Sequence, residues 1–267
     1  MSPSPAPRTL ALLVLLTAGA LLPACGTGDD PAGGATPAPG DRYAGRVTVS
    51  AASSLTETFT ALGAEFERAN PGVDVVFNFG ASSTLAQQIV AGAPPDVFAA
   101  ASPATMKVVV DAGAAVGEPR VFARNRLVIV VPRDNPAKVT GIADLARPGV
   151  KVALCAAQVP CGAAAAKALA AAGVRVTPVT LEQDVKATLT KVRLGEVDAG
   201  LVYRTDARAA AAEVTGIDFA EAAEAVNDYP VVAVREGANA AAGAAFIALV
   251  TSPRGRAVLT AAGFEVP

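Results

Sequence analysis

The chain has no histidine among its 267 residues. That absence excludes Ser-His-Asp and Cys-His catalysis and the usual histidine-built zinc sites, leaving carboxylates as the remaining enzymatic route. Aromatic residues make up only 4% of the sequence and charged residues 17%, with a formal net charge of −2. Lysine and arginine are scattered rather than clustered, which argues against a nucleic-acid footprint. The apolar run near the start, residues 9–22, is shorter than the ~20 residues a membrane-spanning helix needs. No internal repeat is visible.

Cysteine is also scarce, with three in the chain. The first, Cys25, follows Leu22-Pro23-Ala24 at the end of the apolar run, and Arg8 supplies a positive charge before it. This is the layout of a secretory signal, and its end resembles the lipobox of bacterial lipoproteins, where cleavage leaves the cysteine as a lipidated N-terminus. An ordinary signal peptide with a chance cysteine is the alternative. Residues 1–24 are thus expected to be a lipoprotein signal peptide and Cys25 the lipidation site. Residues 25–45, rich in Gly, Pro and Ala, are expected to form a flexible tether, since they cannot bury enough apolar surface to offset ordering entropy. At about 3.3 Å per residue it reaches at most roughly 65 Å. The expected location is the outer face of the cell membrane, with the lipid as the only membrane contact.

Cys155 and Cys161 then remain as an even pair in an oxidising compartment, which favours a disulfide. Two reduced thiols, or half of a metal site lacking other soft ligands, are the alternatives.

From residue 46 onward, strand and helix patterns alternate. Residues 46–51, 73–79 and 96–100 read as strands. Residues 55–69, with apolar Leu55, Phe59, Leu62 and Phe66, read as an amphipathic helix, and 82–91 and 103–112 as further helices. A second series has strands at 127–131, 150–154, 174–177 and 199–202, and helices near 162–172, 182–194 and 205–212. A late strand at 231–234 and helices over 240–262 follow. This rhythm predicts an α/β fold of two lobes, each a mostly parallel sheet flanked by helices; the resemblance described below implies that the ligand sits in the cleft between them. The expected division is 46–125 plus 227–267 for the first lobe and 126–226 for the second.

The chemistry falls at strand-to-helix turns. Ser53-Ser54 ends the first strand, and Ser54-Leu55-Thr56-Glu57 has the form of a capping box. Gly80-Ala81-Ser82-Ser83-Thr84 ends the second strand and is expected to cap the next helix. Val159-Pro160-Cys161-Gly162 and Tyr203 also precede helices. Hydroxyls and unpaired N–H groups at positive helix ends suit an anion, and such turns converge on the ligand crevice of an open α/β sheet. Taken singly, Ser54 and Ser82 read as helix caps, a tyrosine after a strand as packing, and Val185 as helix core.

Together these stretches resemble the periplasmic molybdate-binding proteins of ABC importers. The similarity is carried by 51–56 (AASSLT), 79–89 (FGASSTLAQQI), 91–98 (AGAPPDVF), 125–132 (NRLVIVVP), 159–162 (VPCG), 182–186 (EQDVK) and 202–207 (VYRTDA). The resemblance implies a type II periplasmic-binding fold whose two lobes close on one tetrahedral oxyanion. It places ligand contacts on Ser54 and Ser82 in the first lobe and on Cys161, Val185 and Tyr203 in the second. Cys161 stands where alanine is common, at little cost if the contact is a backbone N–H. The resemblance implies high-affinity capture of molybdate, with tungstate as a near equal, for delivery to an ABC transporter permease by a monomer. No cofactor, no nucleic acid and no catalysis are expected.

Rival readings are a binder of another oxyanion, such as sulfate or phosphate, or of a sugar or amino acid. An amino-acid site would normally pair an arginine with an acid, and no such pair stands at these turns. An extracytoplasmic enzyme using Asp96 or Asp184, and a ligand-sensing domain of a transcription factor, are weaker alternatives. Asp96 reads better as a strand-start cap, and no basic or helix-turn-helix segment is present.

Overall fold

Residues 127–131 are a continuous apolar run, five consecutive Leu, Val and Ile residues. All five are buried in a central strand, as a run covered by structure on both faces must be. The computed structural model describes residues 43–267. The expected signal peptide, Cys25 and most of the tether lie outside the described residues.

Two five-stranded sheets organise the described residues. The first contains β1 (Ala44–Ala52), β2 (Gly72–Gly80), β3 (Val97–Ala99), β4 (Ala115–Asn125) and β10 (Asn227–Val234), in the order β2-β1-β3-β10-β4. The second contains β5 (Leu127–Pro132), β6 (Val152–Cys155), β7 (Thr180–Glu182), β8 (Ala199–Tyr203) and β9 (Val214–Ile217), in the order β7-β6-β8-β5-β9. Strand β1 pairs in parallel with β2 and β3, and β6 in parallel with β7 and β8. The strands next to the crossovers are antiparallel: β10 with β3 and β4, and β5 with β8 and β9. The chain passes between the sheets at Arg126 and again at Val226. Asn125 and Asn227, flanking the two crossovers, face each other in register.

Helices α1 (Thr56–Ala69), α2 (Ser82–Val90), α3 (Pro103–Asp111), α7 (Ala240–Thr251) and α8 (Pro253–Ala262) cover the first sheet. Helices α4 (Pro160–Ala171), α5 (Val185–Arg193) and α6 (Arg204–Ala209) cover the second. Phe59, Leu62 and Phe66 of α1 fall at helical spacing and are buried, so α1 presents one apolar face. Phe59 lies at the centre of that core, with ring centroids 5.8 Å from Phe122 and from Phe246 and 6.4 Å from Phe77. Ser102 and Ser252 cap α3 and α8, each followed by proline at the first helical position.

One expected strand is absent, and strands β4 and β9 are present where none was expected. Residues 174–177 are not a strand; pairing with β6 begins only at Val179, whose N–H donates to Val152, because Pro178 has no N–H to offer. Strand β4 went unseen because Gly117 and Pro119 interrupt its pattern and two register shifts against β10 break its alternation. Strand β9 is short, and only Val214 is fully buried in it.

Truncating the central aromatic tests the first core. Phe59→Ala is expected to cost about 3–5 kcal/mol, read from the shift in denaturation midpoint. A loss below 1 kcal/mol would show that the cluster is not the first lobe's core.

Candidate functional site

Where the two sheets face each other, Ser54, Ser82, Cys161, Val185 and Tyr203 line one cavity. It is small, with room at its centre for about one water-sized group, far less than the several hundred Å³ of a typical organic-ligand pocket.

The turn after β1 differs from the sequence expectation. Ser53–Leu55 form a single 3-10 turn, α1 starts at Thr56, and no side chain caps it. Ser54 is therefore not a capping-box residue. Its Oγ lies 2.9 Å from the hydroxyl of Tyr229 on β10. Ser82 is likewise no cap: Ala81 holds the cap position of α2, and the Ser82 Oγ accepts the Ala101 N–H at 3.0 Å. Accepting that bond leaves the Ser82 hydroxyl hydrogen free to donate.

In the second lobe, α4 begins at Pro160 with no side-chain cap, and the first i→i−4 bond is made by Ala163 to Val159. The N–H groups of Cys161 and Gly162 are therefore surplus donors at the positive end of the helix. Cys161 is disulfide-bonded to Cys155 at the end of β6, with Cα atoms 5.8 Å apart. The same turn packs so closely that a Cβ on Gly162 would lie 1.9 Å from the Ala156 carbonyl oxygen. Only glycine fits there.

Helix α5 satisfies most of its own N-terminus. Asp184 Oδ1 accepts the N–H groups of Lys186 and Ala187 at 2.8 and 3.0 Å, and the Asp184 carbonyl accepts that of Thr188. The Val185 N–H has no such partner among the described residues. Asp184 is thus a helix cap rather than a catalytic acid. Asp96 is remote from the cavity: it binds the Thr48 N–H and hydroxyl at 2.7 and 2.9 Å and the backbone of Asn239.

Tyr203 is the most telling residue. It is 1% exposed, and among the described residues its hydroxyl makes no hydrogen bond of good geometry, although the Tyr229 hydroxyl lies close by. Burial, and after it the neighbouring Tyr229 and Asp206, push its pKa well above the ordinary tyrosine value. The hydroxyl stays protonated at any working pH. A buried unpaired hydroxyl costs about 1–3 kcal/mol, so this donor is held ready for an acceptor that the protein does not supply.

Behind Tyr203 lies a charge cluster without a local sequence signal. Asp206 is fully buried, accepts the Tyr203 N–H at 3.2 Å, and lies 3.1 Å from Lys186 Nζ. Burial pushes its carboxyl up to about 6, against the opposing pull of Lys186. For Lys186, burial acts to lower the pKa, but Asp206 and Glu57 outweigh it and hold the ammonium above its usual value. Tyr229, the partner of Ser54, was equally invisible: its place opposite Ser54 comes from strand pairing across 175 residues.

The raised carboxyl of Asp206 has a definite sign. Between about pH 4 and 6 the folded protein keeps a proton that the unfolded chain has released. This group's contribution to stability is therefore fully present below pH 4 and lost as pH rises through 6. Asp206→Asn is expected to remove that component, so the melting temperatures of wild type and variant should change in relation to each other between pH 4 and 7. A constant difference across that range would mean that Asp206 does not titrate there.

Comparison with known proteins agrees with this geometry. Residues 47–265 match the family described as bacterial extracellular solute-binding protein. The molybdate-binding protein ModA of Mycobacterium tuberculosis is 42% identical over 253 residues, covering 95% of each chain. The molybdate-binding protein ModA of Escherichia coli is 34% identical over 232 residues, covering 83% of this chain and 90% of its own. The solved periplasmic molybdate-binding protein of Azotobacter vinelandii shares the fold, with a TM-score of 0.72 at 24% identity, covering 83% of this chain and 99% of its own. Two helix-flanked sheets, a donor-lined cavity and these matches lead to one conclusion: the chain belongs to the bacterial extracellular solute-binding proteins, the family of the molybdate-binding proteins, and is a binder rather than an enzyme.

Proposed function

We propose that this chain captures molybdate outside the cytoplasm and delivers it to an ABC transporter permease, with tungstate bound comparably. The observation that carries the reading is the buried Tyr203 hydroxyl, which has no partner among the described residues and lines the same small cavity as Ser54 and Ser82. Molybdate is a dianion whose oxygens only accept hydrogen bonds. Hydroxyls from Ser54, Ser82 and Tyr203 and backbone N–H groups from Cys161 and Val185 would supply donors alone. Each bond to a charged group is worth roughly 1.5–3 kcal/mol, so several suffice without a counter-cation. Helix dipoles at α4 and α5 add favourable potential.

In this reading, 46–125 with 227–267 and 126–226 move as two lobes about the paired crossovers, and the protein acts as a monomer. Residues 1–24 serve as signal peptide, and Cys25 carries the lipid that holds it at the membrane. The 42% identity to a molybdate-binding relative over 95% of the chain supports molybdate over other oxyanions. The small cavity disfavours a sugar or amino acid. The Cys155–Cys161 bridge would hold the α4 turn in its binding shape before the ligand arrives, reducing the entropy lost on closure.

A ligand bound only by the folded state raises stability with its affinity and concentration. Molybdate and tungstate are expected to raise the melting temperature markedly, with sulfate and phosphate far behind at the same concentration. Equal stabilisation by sulfate would contradict selection by cavity size.

Individual donors are separable. Tyr203→Phe removes a hydroxyl without a protein partner, so the ligand-free protein should keep or gain stability while molybdate affinity falls roughly 10- to 150-fold. Ser82→Ala should lower affinity similarly but also destabilise the empty protein, because the Ala101 N–H loses its acceptor. Unchanged calorimetric affinity in both variants would remove these residues from the site.

A further inference from the structure

The turns that carry the cavity's donors are also joined outside it, by an ion pair. Lys186 follows Val185 at the start of α5, and Glu57 lies in the first turn of α1, just beyond the 3-10 turn that holds Ser54. The Lys186 ammonium donates to Glu57 Oε1 at 2.7 Å. It also lies 3.1 Å from Asp206 Oδ1. The three side chains differ in setting: Asp206 is 0% exposed, Lys186 25% and Glu57 51%.

Asp206 and Lys186 belong to the second sheet's helices, α6 and α5, and remain neighbours whatever the first sheet does. Glu57 alone belongs to the first lobe. The contact between Lys186 and Glu57 therefore exists only when the turns of α1 and α5 are close together, which is also when the cavity between them is formed. Asp206 keeps the ammonium aimed toward Glu57 rather than free in solvent, so little side-chain entropy is lost when the pair forms.

We propose that Lys186 is a latch between the lobes: anchored on Asp206 in its own lobe, it captures Glu57 of the other lobe on closure and slows the release of the bound anion. The latch rests on the reading that the lobes close on an oxyanion, but Lys186 does not touch that anion. It is a positioning residue acting through the opening rate. A pair partly open to solvent changes an equilibrium only a few-fold, and changes in affinity of this kind appear mainly in dissociation.

The direct variant is Glu57→Gln in the full chain, which removes the exposed partner and leaves Asp206 paired with Lys186. Molybdate should dissociate about two- to five-fold faster in stopped-flow measurements, with the association rate unchanged. High salt should speed dissociation from the wild type and leave the variant nearly unaffected. Hydrogen exchange of the ligand-free protein should also quicken in the peptide spanning residues 184–190, on the opposite lobe from the substitution. Local fraying of α1 would not reach that peptide. If the wild type fails to bind molybdate, the functional reading falls, while exchange at 184–190 still decides the latch. Wild-type dissociation and wild-type exchange in Glu57→Gln would overturn it.

Discussion

A buried hydroxyl with no acceptor among the described residues is the constraint on which the rest of this structure turns. Tyr203 sits at the end of a fully buried strand, its hydroxyl is buried, and the residue lines a cavity together with other donors. Folding leaves that group unpaired at a cost of about 1–3 kcal/mol. The surrounding framework keeps it so: Asp206 fixes the backbone of Tyr203, Tyr229 packs edge-on against its ring at 5.9 Å, and Ser54 engages the Tyr229 hydroxyl. Among the described residues Asp206 and Tyr229 are engaged on the Tyr203 N–H and on Ser54, which leaves the Tyr203 hydroxyl for an acceptor from outside.

The same economy runs through the other turns. Asp184 satisfies two N–H groups of α5 and leaves that of Val185 over. Pro160 begins α4 without a donor, and the Cys155–Cys161 bridge and the tight approach of Gly162 fix the N–H groups that follow. These positions belong to different strands and helices, so the donors converge only when both sheets are assembled. Neutral donors and dipoles attract a dianion strongly but allow its release when the turns separate, which a direct buried counter-cation would resist. The cation that does stand near, Lys186, is spent on Asp206 and Glu57.

Much of this architecture was legible in the sequence because its elements are locally consistent. The continuous Leu-Val-Ile run of β5, the helical spacing of Phe59, Leu62 and Phe66, and the alternation of strand and helix each carry their own periodic signal. Strand β4 did not, since Gly117 and Pro119 and its broken register erase the period. The five cavity residues came from turn chemistry joined to family resemblance, and they do line one cavity. Ser54 and Ser82 are not the helix caps their local sequence suggests, because the competing partners, Tyr229 and Ala101, are distant in sequence. Asp206, Lys186 and Glu57 form a cluster across two lobes that no local pattern encodes.

In the proposed function, donors led by Tyr203 bind the anion without a protein cation. The most direct measurement is a high-resolution crystal structure of the molybdate complex. The oxyanion is expected in this cavity, with the Tyr203 hydroxyl about 2.7–3.1 Å from one of its oxygens and no lysine or arginine nitrogen in contact. An oxyanion bound elsewhere, or held in this cavity by an ammonium or guanidinium while Tyr203 stays unpaired, would contradict it.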